Sequence, residues 1–237
     1  MNANVPTGAA ILLDFIGSVE VGKPGRDGYE VIYGNKQWKI AKPLTSMTLD
    51  EVQAAQRGWS KHHGSSAAGR YQFMRATLGG LMAEMGLRGS QHMTPDLQDA
   101  MGYHLLKRRG YARFIAGQMP LKEFALNLAK EWASMPVLED TQGQKRAVVR
   151  GQSYCAGDGI NKSLVSSMDF SSVLSEALNR DEPAPKPSLP PKPAPAPEPV
   201  ASKRGGPVGW LSLGFTIVGG LLIGLWESLQ SLWNWLF

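Results

Sequence analysis

Residues 6–20 read PTGAAILLDFIGSVE and decide the first element of the fold. The apolar side chains of this stretch recur at the spacing of one helix face, and they are Ala9, Leu12, Leu13 and Ile16. This spacing predicts an amphipathic helix. On a helical wheel Glu20 falls between Ile16 and Leu13, on the apolar face of the helix. Helix-breaking glycines and a proline follow within residues 22–25, so we expect Glu20 in the last turn.

The position of Glu20 makes it a candidate general acid. A carboxyl group among apolar neighbours is partly desolvated, and desolvation raises its pKa. A carboxylic acid that stays protonated near neutral pH can donate a proton to a leaving group. The alternative is an ordinary solvent-exposed glutamate at a frayed helix end.

The rest of the first 180 residues is predicted to be mainly helical. Thr48 and Glu51 have the spacing of a capping box, and further helices are predicted at residues 48–58, 95–109, 121–134 and 163–179. Strand signals are confined to residues 29–40, where Gly34 and Asn35 predict a hairpin turn. One small β-hairpin among helices indicates an α+β fold.

Composition limits the classes of partner. The chain has 237 residues, of which 43% are hydrophobic and 19% charged, as expected for a globular core. Its formal charge of +5 resides in residues 1–180, which favours anionic partners such as nucleic acid, lipid or the bacterial wall. The basic residues form no nucleic-acid-binding motif, so nucleic acid is not an expected partner. Cys155 is the single cysteine, which excludes an internal disulfide. We expect no metal and no cofactor.

The C-terminal part has a different composition. Nine of the 16 prolines fall between Pro183 and Pro199, and such a segment is typical of an extended spacer without a packed core. The 19 residues from Val208 to Trp226 carry no charge and predict one transmembrane helix. We therefore expect a domain at residues 1–180, a linker at 181–206, and a membrane helix with an amphipathic end at 207–237.

The predicted span indicates a single-pass membrane protein. Lys203 and Arg204 precede it, and no basic residue follows it. This charge bias places the N-terminal side in the cytoplasm if the membrane is that of the host. Gly220 and Gly224 allow close helix approach, so self-association through them is a further hypothesis.

Five short stretches, taken together and in order, resemble the lambda-type phage endolysins, which are lytic transglycosylases of the lysozyme superfamily. They are LDFIGSVE (13–20), GYEVIYG (28–34), AGRYQF (68–73), PDLQDAMGYHLLKRRG (95–110) and EWASMP (131–136). The resemblance implies a lysozyme-like fold and cleavage of peptidoglycan between N-acetylmuramic acid and N-acetylglucosamine. It implies that Glu20 is the catalytic glutamate. It also implies that the substrate-binding residues are Gly69, Arg70, Tyr71 and Gln72.

The number of catalytic carboxylates separates two reaction types. Glycosidases usually need two of them. The hydrolytic phage lysozymes resemble one another in having an Asp eight positions after the catalytic glutamate and a Thr five positions after that Asp. In this sequence the two corresponding positions are occupied by Gly28 and Tyr33, so the pattern is absent. Asp27 and Glu30 remain alternatives for a second carboxylate. Without one, the resemblance implies a 1,6-anhydro product formed without water.

The combined features predict a phage-encoded, membrane-anchored lytic transglycosylase that opens the host wall as the virus enters. A viral internal membrane or the host inner membrane would hold it. One alternative is a membrane-tethered endolysin that releases new virions. An alternative of another class is an inactive peptidoglycan-binding or structural protein of the virion.

Overall fold

The computed structural model describes residue 2 and residues 4–22 and 26–181. Almost all of the predicted linker, and all of the predicted membrane helix with its two glycines, lie outside these residues. Within the described ranges, no helix is both long enough and apolar enough to cross a membrane. The proposed boundaries at residues 180 and 206 therefore stay predictions.

The described residues form seven α-helices and one two-stranded antiparallel sheet. The helices are α1 (Thr7–Val21), α2 (Leu49–His63), α3 (Arg75–Glu84), α4 (Pro95–Arg108), α5 (Tyr111–Ile115), α6 (Leu121–Glu131) and α7 (Ser167–Asp181). The strands are β1 (Thr141–Gln142) and β2 (Ala147–Val148). Short 3-10 turns fill the segment between α1 and α2. This mainly helical α+β architecture with a small β element confirms the predicted fold class.

Helix α1 lies at the centre of the described domain. Its predicted apolar face is fully buried, comprising Ala9, Leu12, Leu13 and Ile16, and it packs chiefly against α7 and also against α4. Gly22 takes a left-handed conformation, and its N–H donates to the Ser18 carbonyl oxygen. This C-cap ends the helix two residues after Glu20. The prediction for this helix is confirmed.

The start of α1 is capped by the end of α7. Pro6 stands at the N-cap and has no side-chain oxygen to offer. The Asp181 carboxylate instead accepts hydrogen bonds from the Gly8 N–H at 2.8 Å and from the Tyr111 hydroxyl at 2.7 Å. A carboxylate at a helix N-terminus satisfies a free N–H and complements the helix dipole. Asp181 thus joins the two ends of the described domain.

We expect Asp181→Ala to destabilise the protein by about 1–2 kcal/mol, because a helix cap and the acceptor of a mostly buried hydroxyl are lost together. Urea unfolding of the full chain measures this change. Glu176→Ala removes an exposed acid from the same helix and serves as the control. Equal stability of the two variants would show that the cap contributes nothing.

The hairpin predicted for residues 29–40 is wrong. These residues lie mostly in 3-10 turns, and the paired strands occur later in the chain, at β1 and β2. Gly34 and Asn35 do adopt φ values of 57° and 58°, as the tip of a hairpin requires. However, Ile32 forms a bridge with Ala68 rather than with a following strand. Tyr29, Val31, Ile32 and Tyr33 are buried by tertiary packing, whereas Trp38 is exposed, so the apolar pattern here indicates burial of residues 29–33 and not strand pairing.

Other helices match their predictions with shifted ends. The capping box of Thr48 and Glu51 is present with both reciprocal hydrogen bonds, but α2 continues past Gly58 to His63. Helix α4 begins after the Thr94 cap as predicted. The prediction lacks α3 and α5. Helix α3 has no capping side chain, and α5 is only five residues long, so neither offers a strong local signal.

Candidate active site

A cleft of about 460 Å³ opens beside the last turn of α1. Its lining comes from α1, from residues 64–77, from α4, from the end of α6 and the residues just after it, and from the loop before α7. The residues are Glu20, Gly64, Ser65, Ala67, Tyr71, Gln72, Phe73, Met74, Thr77, Leu105, Glu131, Trp132, Ala133, Ile160 and Asn161. The cleft therefore brings together five segments that are distant in sequence, and one of them carries the predicted Glu20.

Glu20 is partly buried in this cleft. Burial raises the pKa of its carboxyl group above the ordinary value of 4.5, and a hydrogen bond from the Ser134 hydroxyl acts in the opposite direction. Ser134 is itself buried, at 7% exposure. Desolvation is the larger effect, so the protonated acid is favoured, while Ser134 can stabilise the carboxylate after it has given up its proton.

We expect Ser134→Ala to move the alkaline limb of the pH–activity profile to higher pH. Removing the hydroxyl removes the interaction that lowers the pKa of Glu20, so the acid stays protonated further into the alkaline range. Rates of wall clearing measured across the pH range test this. Ser175→Ala, whose hydroxyl donates to a backbone oxygen on α7, is the control. A downward shift in Ser134→Ala would contradict the assignment.

Gln72 faces the cleft in a strained conformation. Its φ of 49° is in the left-handed region, which a residue with a side chain rarely adopts. The Gln72 amide nitrogen donates to the Gly69 carbonyl oxygen at 2.8 Å, and a bridge between Ala68 and Phe73 closes the turn. Strain of this kind concentrates at binding and catalytic sites. The structure thus places Gln72 at the cleft, and its role in substrate binding stays a prediction.

Arg70 points away from the cleft, which corrects the expectation that all four residues of the turn face the substrate. Its side chain is 1% exposed, and its guanidinium donates to the Asp14 carboxylate at 2.6 Å. The side chain lies so close to α1 that a Cβ at Gly17 would meet it at 2.5 Å. Arg70 therefore ties the turn to α1 and does not contact a ligand in the cleft.

Gly69 also has a structural reason to be glycine. Its φ is +77°, and an added Cβ would lie 2.3 Å from the Gln98 side-chain oxygen. That oxygen accepts the Arg70 N–H at 2.9 Å, so the Gln98 amide occupies the space beside Gly69. Protein fills the space that the glycine leaves, Gly69 is not among the residues that line the cleft, and its contact with a sugar stays a prediction.

Tyr71 forms part of the cleft wall but is 1% exposed. Its hydroxyl donates to Asp99 at 2.7 Å, as does the Tyr29 hydroxyl at 2.8 Å. Burial and then the charge of Asp99 hold the pKa of Tyr71 above its ordinary value, so the phenol remains a donor. The indole of Trp132 donates to the Tyr71 carbonyl oxygen at 3.2 Å. Tyr71 supports the wall from behind and presents little ring surface for stacking.

Glu131 is the other carboxyl group among the described residues that line the cleft. Its carboxylate accepts from Arg109 Nε at 2.7 Å and from Arg108 at 3.2 Å. Two guanidinium groups hold the Glu131 carboxylate in place by charge-assisted hydrogen bonds. The alternatives from the sequence lie elsewhere. Glu30 accepts from Thr45 and lines a separate depression, and Asp27 is exposed outside the cleft.

The loop before α7 forms one edge of the cleft with Ile160 and Asn161. Asp158 accepts the N–H groups of both residues, at 2.9 Å and 2.8 Å, and these bonds lower its pKa to about 2. The Ile160 side chain is 85% exposed. The sequence stretch 153–161 predicts a cleft loop, and the structure places its last two residues at the cleft.

Sequence reasoning missed two residues of this site. Ser134 and Glu131 both lie in the EWASMP stretch that resembles the endolysins, but no local pattern links them to Glu20 more than 100 residues earlier. Metal binding has no comparable support. Across residues 4–22 and 26–181, no three His, Cys, Asp or Glu side chains are grouped closely enough to hold a metal ion.

Comparison with known proteins identifies the family of this chain. A sequence model of the family described as Endolysin matches residues 10–156, more than half of the chain. The chain belongs to the endolysin family. This endolysin is accordingly a peptidoglycan-cleaving enzyme. The matched range contains Glu20, the turn at residues 69–72 and Ser134.

A solved structure is also similar to this endolysin. It is bacteriophage lambda lysozyme complexed with a chitohexasaccharide, at 19% sequence identity and a TM-score of 0.45. The match covers 74% of this chain and 96% of that chain. A comparison with curated protein sequences gives no match.

Proposed function

We propose that this endolysin is a lytic transglycosylase that cleaves the β-1,4 bond between N-acetylmuramic acid and N-acetylglucosamine. The observation that carries the proposal is the contrast between the two cleft carboxyl groups. Glu20 is favoured in its protonated form by burial, whereas Glu131 is held by Arg108 and Arg109. One acid is thus available for proton transfer, and no second free carboxylate lines the described cleft.

The proposed reaction begins with proton donation. Protonated Glu20 gives its proton to the glycosidic oxygen, and the bond from that oxygen to C1 of the muramic acid breaks. The N-acetylglucosamine side leaves as an alcohol. The acetamido carbonyl of the muramic acid stabilises the positive charge that develops at C1. Ser134 donates a hydrogen bond to the Glu20 carboxylate at this stage.

The second half of the reaction uses the same residue as a base. The Glu20 carboxylate accepts the proton of the C6 hydroxyl, and O6 forms a bond to C1. This closes a 1,6-anhydro ring and returns Glu20 to its protonated state. The nucleophile belongs to the substrate itself, so proximity replaces a second carboxylate and an activated water. The strained Gln72 also lines the cleft, and we assign to it a contact with the sugar.

The masses of released muropeptides test this proposal. The full chain is incubated with purified peptidoglycan, and the soluble fragments are separated and weighed. Transglycosylation predicts fragments lighter than the hydrolysis products by one water molecule. Products with hydrated reducing ends would overturn the proposal and would assign a second catalytic role, with Glu131 as the first candidate to substitute.

We further propose that a proline-rich linker and a membrane helix tether this enzyme, as the composition of residues 181–237 suggests. In a phage with an internal membrane, the enzyme would travel with the virion and open the wall of the next host. Detection of the protein in purified virions supports this setting. Its presence in lysing cells but never in virions would instead favour the alternative, a tethered endolysin for release.

The alternative of another class, an inactive peptidoglycan-binding protein, disagrees with membership of the endolysin family. It predicts that the full chain sediments with peptidoglycan but releases no muropeptides under any pH or salt condition. The same muropeptide measurement therefore separates this alternative from both enzymatic settings.

A further inference from the structure

A basic and aromatic surface lies at one end of the cleft, and its residues are Lys36, Trp38, Lys39, His62 and His63. We call it the basic patch. Trp38 is 76% exposed, and the Lys39 Nζ lies 5.2 Å from its ring centroid. The Lys36 Nζ lies 5.4 Å from the ring centroid of Tyr33. Both ammonium groups are thus positioned over aromatic faces rather than paired with acids.

The two histidines complete the same surface. The ring of His63 stacks on Tyr33 with centroids 4.9 Å apart, and His62 meets His63 edge-on at 6.4 Å. Burial, followed by the charges of Lys39 and Lys36, lowers the pKa of His63. The lysines are therefore near enough to His63 to disfavour another positive charge. Within the part of the chain that the structure describes, the ion pairs involve other cations.

The basic patch is continuous with the cleft. His63 is the last residue of α2, and the residues that follow it, Gly64, Ser65 and Ala67, line the cleft. The N–H of Tyr33, beneath the patch, donates to the Ala67 carbonyl oxygen at 2.9 Å. A polymer that extends out of the cleft at this end meets the patch next. The patch is therefore placed to contact parts of the substrate beyond the scissile bond.

We propose that the basic patch binds the free carboxylates of the peptide stems that a peptidoglycan strand carries on its muramic acids. This inference rests on the proposed function, because it assumes that the glycan occupies the cleft. Muramic acid units differ from a plain chitin chain in bearing peptides with ionised carboxylates. Unpaired ammonium groups attract such anions over several ångströms and fix their direction of approach. The exposed indole of Trp38 offers an apolar face for the adjoining sugar or peptide.

The test compares one strand preparation with and without its peptides. Soluble peptidoglycan strands are used intact or after an amidase has removed the stems. The full chain carries Lys36→Gln with Lys39→Gln. The control carries Lys107→Gln with Arg113→Gln, which removes the same charge from exposed positions outside the cleft lining.

We expect the Lys36 and Lys39 variant to raise KM on intact strands by about fivefold, the combined effect of two exposed ionic contacts. The change in kcat should be much smaller, since the patch does not touch the reacting atoms. On stripped strands the difference in KM from the unaltered chain should shrink severalfold. Added salt should raise the KM of the unaltered chain on intact strands toward that of the variant. Equal effects on both strands, or none, would overturn the proposal.

Binding to the wall separates this inference from the proposed function. In a Glu20→Gln background, sedimentation with insoluble peptidoglycan should weaken when Lys36 and Lys39 are replaced, whether or not any cleavage occurs. Binding to vesicles that contain phosphatidylglycerol tests the main alternative partner, an anionic lipid surface. If the Lys36 and Lys39 variant loses vesicle binding but keeps its affinity for intact strands, the patch is a lipid-binding surface and the proposal fails.

Discussion

Glu20→Gln should lower the rate of wall clearing by about 10³-fold, the usual scale for loss of a positioned general acid. The amide has nearly the same shape but neither donates a proton to the glycosidic oxygen nor accepts one from the C6 hydroxyl. Its oxygen can still accept the Ser134 hydroxyl, so the cleft should keep its form. The initial rate of turbidity loss from a suspension of cell walls measures the effect.

The control for this variant is Glu123→Gln, which changes an exposed glutamate on α6. It should clear the wall at the unaltered rate. Sedimentation with peptidoglycan should be retained by Glu20→Gln. Substantial clearing by Glu20→Gln would contradict the central role of this residue and would direct attention to Glu131.

The same variant should be more stable than the unaltered chain at neutral pH. The pKa of Glu20 is higher in the folded protein than in the unfolded chain. The contribution of protonated Glu20 to the free energy of unfolding is therefore fully present below the pKa in the unfolded chain, and it is lost as the pH rises through the pKa in the folded protein. A neutral amide avoids burying that charge. Thermal unfolding should show a higher Tm for Glu20→Gln at pH 7, and this gain should diminish at pH 4. An equal or lower Tm at pH 7 would indicate a solvated carboxylate.

Asp99→Ala should have the largest effect on stability, a loss of about 3–5 kcal/mol. Asp99 is fully buried and accepts hydrogen bonds from the hydroxyls of Tyr29 and Tyr71 and from the Asn2 N–H. Truncation leaves two phenol groups without their acceptor inside the domain, and unsatisfied buried donors are costly. Urea unfolding of the full chain measures the loss.

Asp96→Ala is the matched control for Asp99→Ala. Asp96 lies in the first turn of the same helix but is exposed, so its replacement should cost well under 1 kcal/mol. Tyr71 and Trp132 both line the cleft, and the Trp132 indole donates to the Tyr71 carbonyl oxygen. Loss of Asp99 should therefore also weaken the cleft wall, and we expect Asp99→Ala to lose its activity at a lower temperature than the unaltered chain. A change in stability like that of Asp96→Ala would show that the buried network is not a main support of the fold.

The parts of the fold that could be predicted have local causes. Helix α1 follows from four apolar residues at helix spacing, and α4 follows from the Thr94 cap and Pro95. Residues 29–40 could not be predicted in this way, because the apolar side chains of residues 29–33 are buried by tertiary packing and Ile32 forms its bridge with the distant Ala68. Strands β1 and β2 are two residues each, too short for alternation to be visible.

The candidate site divides in the same manner. The helical wheel is sufficient to single out Glu20, because the position of Glu20 on the apolar face depends only on its own helix. The resemblance indicated the turn at residues 69–72, but it did not distinguish Gln72, which faces the cleft, from Arg70, which faces α1. The direction of each side chain in that turn depends on positive φ values and on Gln98, a contact across 28 positions.

The central claim is that one acid, whose pKa is raised by burial, performs both proton transfers. Carbon-13 NMR of the full chain labelled in its glutamate carboxyl groups tests this claim most directly. The Glu20 signal is identified by its absence from Glu20→Gln, and its chemical shift is followed across the pH range. We predict a midpoint above 4.5, and a still higher midpoint in Ser134→Ala. A midpoint at or below 4.5 would mean that burial does not raise the pKa of Glu20, which would contradict its role as the general acid.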